Sequence, residues 1–147
     1  MRIIQATLEH LDLLTPLFIE FRESNGADTL PESSRKFLQT RLKRNESVIY
    51  LALDAQEKPL GFCQLFPSYS SSSLKRVWLI NDIYVAAHAR RQLVADKLLQ
   101  TAKQMAQSTH SVRLRAMHQA DNPRAKALYE SIGFREDARF VTLTLEL

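Results

Sequence analysis

Asn122-Pro123-Arg124-Ala125-Lys126-Ala127-Leu128-Tyr129-Glu130-Ser131-Ile132-Gly133-Phe134 reads as a short helix with both ends marked and a phenol near its C-terminal end. Asn122 suits the N-cap, Pro123 fits the first helical position, where a missing N–H costs nothing, and Gly133 supplies the left-handed residue that closes the helix. Ala125, Leu128 and Ile132 then form the stripe that packs on a sheet. Taken alone, this is what any well-capped helix looks like, and Tyr129 would be a half-buried ring packing at its end.

Outward from this helix, the hydrophobic period switches between about 3.6 and 2 residues in the order of an α/β domain. Helices are predicted at Leu8 to Arg22, Glu32 to Arg44, Arg91 to Gln107 and Pro123 to Ser131; the third carries Val94, Leu98, Ala102, Met105 and Ala106 on one face. Strands are predicted at Ile3 to Ala6, Ser47 to Leu53, Leu60 to Pro67, Val77 to Val85, Val112 to Met117 and Phe140 to Leu145. Alternation is clearest in Arg113 to Met117 and in Val141-Thr142-Leu143-Thr144-Leu145. Several strands before the third helix, then strand, helix, strand, imply a mixed sheet with helices on both faces. The turn-rich segment Ser24 to Pro31 is a candidate substrate lid. The serine run Ser68 to Ser73 reads as a solvated turn between antiparallel strands, with Tyr69 a candidate for the edge of a pocket.

A second stretch, Asn81-Asp82-Ile83-Tyr84-Val85-Ala86-Ala87-His88-Ala89-Arg90-Arg91-Gln92-Leu93-Val94-Ala95-Asp96-Lys97-Leu98-Leu99, reads as strand, loop, helix. A helix N-terminus offers unpaired N–H groups and the positive end of a dipole, which suits an anion such as a pyrophosphate.

The string N-x-x-A-x-x-L-Y-E-x-x-G-F at Asn122 to Phe134, followed by a closing strand, resembles the C-terminal signature of the GNAT family of acetyl-CoA-dependent N-acetyltransferases. The upstream junction is similar to that family's acyl-CoA motif, Q/R-x-x-G-x-G/A, with Arg90 at the first position and Ala95 at the last. Leu93 stands where the family has glycine; it keeps the N–H but adds bulk. Trp78 to Val85 is most similar to the strand of small-amine acetyltransferases of the diamine type, although Asn81 replaces what is often acidic there. The resemblance covers the whole chain. It implies one domain over residues 1–147, built on a mixed, mostly antiparallel sheet of about six to seven strands with helices on both faces.

The chemistry implied is attack of a primary amine of a small molecule on the acetyl thioester of acetyl-CoA, directly in a ternary complex. By resemblance, the backbone of Ile83, Tyr84 and Val85 holds the pantetheine arm, with the Val85 N–H polarising the thioester carbonyl. Arg90, Arg91, Gln92, Leu93, Val94, Ala95 and Asp96 wrap the pyrophosphate, and Asn122 adds a cofactor-side contact besides its cap. Tyr129 takes the role of general acid, since a phenol with an ordinary pKa of about 10 is protonated at neutral pH and can protonate a departing thiolate. The amine must lose a proton, and Asp82 is the first candidate for the group that receives it or binds the ammonium, because a carboxylate on a strand of apolar and aromatic residues is not core material. Glu20, Glu23 or a chain of waters are the alternatives. Cys63, in Gly61-Phe62-Cys63-Gln64-Leu65, reads as a packing thiol with no histidine partner, and no metal-ligand spacing is present.

Composition narrows the classes. A chain of 147 residues can bury a core without disulfides or metal, and 45% hydrophobic with 24% charged residues is ordinary for a globular domain. One cysteine forms no internal disulfide, and Glu9, His10 and Asp12 interrupt any signal-peptide layout, so a cytoplasmic protein without membrane spans is expected. The net charge of +4 is spread along the chain rather than gathered with stacking aromatics, which argues against nucleic acid. A dinucleotide-binding fold lacks its fingerprint, since only three glycines occur and none opens the helix after Arg91. A non-catalytic acyl-CoA sensor or interaction module on the same fold is the other reading. Oligomeric state stays open, a homodimer paired through the C-terminal strand being one option.

Overall fold

Apolar residues at every second position need a partner strand for their backbone and a covering layer for their side chains, and the first 117 residues meet both needs. The computed structural model describes residues 1–147. It falls into two compact units, Met1–Met117 and His118–Leu147.

The larger unit is built on strands β1 (Arg2–Gln5), β2 (Val48–Leu53), β3 (Pro59–Ser70), β4 (Lys75–Val85) and β5 (Arg113–Ala116), in the spatial order β1-β2-β3-β4-β5. Neighbours pair antiparallel except β4 and β5, which are parallel. Helices α1 (Leu11–Ser24) and α2 (Pro31–Lys43) follow β1, and α3 (Val94–Ser108) follows β4. Ile49, Leu51, Leu53 and Phe62 close a core with Leu11, Leu14, Leu17, Phe18 and Leu38 from α1 and α2. Residues of the alternate parity face α3, where Val94, Leu98, Leu99 and Ala102 are buried. Gly61 sits on that side, and a Cβ there would come within 2.5 Å of the Tyr84 carbonyl oxygen and 3.3 Å of Val94 Cγ1. Glycine is therefore what lets the end of β4 and the start of α3 approach β3. The serine run divides: Ser68 to Ser70, expected in the turn, extend β3, and the turn to β4 is made by Ser71 to Ser73 with Leu74.

Two expectations are corrected. The sheet has five strands rather than six to seven, because Phe140 to Leu145 is not a strand; Val141, Leu143 and Leu145 are exposed. Alternation supplies side chains for a sheet face, but without a ladder partner for its N–H and C=O groups it does not make a strand. The third helix starts at Val94 and not at Arg91, because Arg91 and Leu93 both adopt left-handed backbone, with φ of 63° and 59°.

The smaller unit holds α4 (Pro123–Ile132), with the ends the sequence marks. Asn122 Oδ1 accepts from the Ala125 N–H at 3.0 Å, and Gly133, at φ 111°, returns its N–H to Glu130 O while Phe134 returns its own to Tyr129 O.

Candidate active site

The register of β4 breaks near its end. Gln64 opposes Asp82 but Leu65 opposes Ile80, so Asn81 is an extra residue, a bulge in β4. On the other edge, β5 pairs with β4 only from Val77 to Ile80. From Asn81 to Val85 that edge faces no strand of the sheet. The Ala86 N–H donates to Leu60 O at 2.9 Å, so pairs of that parity face β3 and the alternating partners, Ile83 opposite Cys63 and Val85 opposite Gly61, direct their N–H and C=O groups away from it. Two residues thus offer a strand-like set of donors and acceptors on an open edge.

The bulge also sets Asp82 apart from its neighbours. It is only 8% exposed, yet no cation pairs with it. Gln64 Nε2 donates to Asp82 Oδ2 at 2.6 Å, Asn81 Nδ2 donates to Oδ1 at 3.0 Å, and Ser47 Oγ donates to Gln64 Oε1 at 2.8 Å. Burial raises the carboxyl above the ordinary carboxylate range, and the Gln64 and Asn81 hydrogen bonds pull it partly back. Neighbouring Cys63 is fully buried, and burial, helped by the Asp82 charge, pushes its thiol far up, which leaves it an inert packing group.

Asp82 and Asn81 form one wall of a cavity of about 380 Å³ whose other lining comes from α1, α2 and the segment between them: Phe18, Phe21, Arg22, Leu30, Ser33, Ser34 and Phe37. That volume lies at the small end of ligand sites, about 300–1,000 Å³. The rings form a connected set, Phe18 stacked on Phe37 at 5.8 Å and packed beside Phe21 at 6.1 Å. Arg22 Nη1 donates to Thr29 O at 2.9 Å and to Ser34 Oγ at 3.1 Å, which ties the segment after α1 to the start of α2. Of the predicted lid, Leu30 reaches the cavity, held at φ 38°. Tyr69 does not line it; its ring lies under the Arg76 guanidinium. Glu20 is taken up by the Tyr84 hydroxyl at 3.2 Å, and neither it nor Glu23 lines the cavity.

After Val85 the chain passes through a short 3-10 turn, Ala87–Ala89, and the exposed stretch Arg90 to Leu93 before α3. No side chain caps α3, so the N–H groups of its first turn, Val94, Ala95 and Asp96, are left for an outside acceptor. Leu93 is 64% exposed and points neither into the core nor toward a side-chain cap. Gln92 Nε2 donates to His88 O at 3.2 Å, bracing the turn.

In the smaller unit Tyr129 is buried, its ring stacked on His118 at 6.3 Å and edge-on to Phe134 at 5.2 Å. The sequence singles out Asp82, which the structure places in the cavity wall, but not Gln64, Ser47 or the aromatic lining. An amide in the otherwise apolar run Leu60 to Phe66 was the available signal for Gln64. The phenylalanines gave none, because rings at helical spacing are indistinguishable from core until the cavity is seen.

Residues 11–134 match the model of the acetyltransferase (GNAT) family. The chain is 35% identical over 147 residues to the protein named uncharacterized N-acetyltransferase YhfO of Bacillus subtilis (strain 168), covering 100% of this chain and 98% of that one. It is 38% identical over 135 residues to a probable acetyltransferase of Haemophilus influenzae (strain ATCC 51907 / DSM 11121 / KW20 / Rd), covering 92% and 90%. A crystal structure of a probable acetyltransferase shares 65% of its sequence with this chain and superposes with a TM-score of 0.97 over 100% of this chain and 98% of the other.

Proposed function

The chain belongs to the acetyltransferase (GNAT) family and is an acetyltransferase, and from that premise we propose that it moves the acetyl group of acetyl-CoA to a primary amine of a small molecule, within a ternary complex on one domain spanning both units. The observation that carries this reading is the end of β4. One bulge turns a buried carboxylate into an aromatic cavity while the Ile83 and Val85 backbone opens on the edge that leads to the uncapped start of α3.

Acetyl-CoA supplies an activated thioester. Ile83 and Val85 would hold its pantetheine amides by strand-like hydrogen bonds, as a peptide is held at a sheet edge, whereas the backbone of Tyr84 between them, also expected to take part, is turned toward β3 opposite Phe62. Arg90 to Asp96 would receive the pyrophosphate on the free N–H groups and the positive end of α3, with the Arg90 and Arg91 charges adding attraction. The Asp96 carboxylate in that first turn opposes them in part. Asn122 would contribute from the cofactor side while it caps α4.

Asp82 would receive the ammonium, and burial, which raises its carboxyl from the ordinary value, favours its taking up the amine's proton. The amine nitrogen bonds to the acetyl carbon, the C–S bond breaks with its electron pair passing to sulfur, the nitrogen's proton goes to a basic group, and Tyr129 protonates the thiolate. The alternative, a non-catalytic acyl-CoA sensor, is not favoured, since the relatives matched over nearly the whole chain carry acetyltransferase names. The test is acetyl-CoA consumption measured against a panel of primary amines, beside calorimetric titration with acetyl-CoA alone. Binding without turnover of any amine would return the sensor reading.

A further inference from the structure

We infer that the acceptor is a compact primary amine with one ammonium group on an aromatic or otherwise apolar skeleton, rather than a diamine, polyamine or aminoglycoside. The inference rests on the acetyltransferase reading above and concerns what the cavity beside Asp82 admits. Its lining is dominated by Phe18, Phe21, Phe37 and Leu30, and Asp82 is its one carboxylate. The Gln64 and Asn81 hydrogen bonds fix that carboxylate at one end of the site, so a single ammonium has a defined seat.

A second ammonium has none. The remaining charged group in the lining is the Arg22 guanidinium, whose sign repels it, and Ser33 and Ser34 are the only hydroxyls. Phenylalanine faces do attract cations, though weakly at exposed sites. Here one such face is already used, for the Arg41 guanidinium lies over the Phe37 ring at 4.5 Å, and stripping water from a second charge costs more than a weak ring contact returns. A polyhydroxylated aminoglycoside meets the same wall, because most of its hydroxyls would be buried against rings without partners. An aryl-alkyl body instead stacks with the rings that already line the site.

The experiment measures acetyl-CoA consumption with 2-phenylethylamine, n-hexylamine, 1,6-diaminohexane, spermidine and kanamycin. 2-Phenylethylamine or n-hexylamine should show kcat/KM at least about tenfold above 1,6-diaminohexane, a comparison in which the added amine is the main change. Phe37→Glu, at a position 41% exposed and made together with Arg41→Gln so that no guanidinium neutralises the new charge, should narrow or reverse that ratio by supplying a second carboxylate. Spermidine, diaminohexane or kanamycin as the best acceptor of the parent protein overturns the inference and leaves the acetyltransferase reading standing. No turnover of any amine overturns both. An unchanged ratio in the folded double variant removes the cavity as the source of selectivity, and with it the inference.

Discussion

The wall around Asp82 and the turn before α3 begin within a dozen residues of each other on one chain, yet they are built in opposite ways. Asp82 is buried and held by side chains from β2-proximal Ser47, from β3 and from β4 itself. Arg90 to Leu93 is exposed and is held by its backbone, two of its residues in left-handed conformation. Under the function proposed above, the difference follows from what each would grip. An ammonium on a small skeleton is recognised by a charge placed in a dry, shaped space, so the identity of each lining side chain matters. A pyrophosphate is recognised by N–H groups that every residue except proline carries, so the turn tolerates leucine where the family has glycine, provided the dihedral angles are kept.

The largest effect should come from outside both regions and so serve as their reference. Tyr129→Phe should lower kcat by a factor on the order of 10² to 10⁴, the range for a lost general acid, while the dissociation constant for acetyl-CoA and the acceptor KM stay near those of the parent. Steady-state kinetics with calorimetry separate these quantities. An unchanged kcat with the best amine would remove Tyr129 from the mechanism and leave it as a ring between His118 and Phe134.

Asp82→Asn breaks the comparison on its acceptor side. The kcat/KM for the amine should fall on the order of 10²-fold, while acetyl-CoA affinity moves little, because the lost charge faces an ammonium and not a phosphate. There is a stability signature as well. The folded carboxyl is raised above its unfolded value, so the native state binds the proton more readily, and the parent loses stability as pH rises from the ordinary carboxylate range through the raised folded value. Asparagine has no proton to lose. The difference in melting temperature, variant minus parent, should therefore increase with pH across that window, and a flat difference would show that burial does not shift Asp82.

Gln64→Leu tests whether the wall acts as a unit. Losing the Gln64 donor removes a hydrogen bond that lowers the Asp82 carboxyl, so the limb of the acceptor kcat/KM profile that Asp82 governs should move to higher pH. The variant also strands the Ser47 hydroxyl and should melt lower by the equivalent of about 1–3 kcal/mol. A melting loss with an unmoved pH profile would make Gln64 structural and detach it from the acceptor side.

These two regions also mark how far the sequence could be read. The capped α4, the strands up to β5 and the place of Asp82 as an unusual carboxylate are legible because each leaves a local mark: an Asn cap, a glycine stop, period-2 alternation, a charge in an apolar strand. The bulge at Asn81 was not, since one extra residue shows only when two registers are laid side by side. The start of α3 at Val94 is hidden as well, since Arg91-Gln92-Leu93 are helix-compatible residues that carry no mark of left-handed backbone. The same blindness made Phe140 to Leu145 a strand, for alternation reports which side chains match and not whether a partner strand is there.

Leu93→Gly is the smallest effect and the sharpest test of the backbone side. From sequence, glycine near a helix start costs up to about 1 kcal/mol, which argues for a lower melting temperature. The structure reverses that expectation. Leu93 lies outside the helix at φ 59°, ψ 22°, a conformation that costs an L-residue about 1–2 kcal/mol and costs glycine nothing. Against this, glycine loses about 0.5–1 kcal/mol more backbone entropy on ordering, so the balance runs from neutral to about 1.5 kcal/mol in favour of glycine. At about 2–4 °C per kcal/mol for a domain of this size, the variant should melt level with the parent or a few degrees above it. Because the leucine side chain is mostly in solvent, its removal clears the approach to the N–H groups of α3 without opening a hole in the core, and acetyl-CoA should bind tighter by less than about tenfold, or 1.4 kcal/mol. A melting temperature several degrees below the parent would mean that the Leu93 side chain supports the turn by packing, and the contrast between a wall made of side chains and a turn made of backbone would then fail at its most exposed residue.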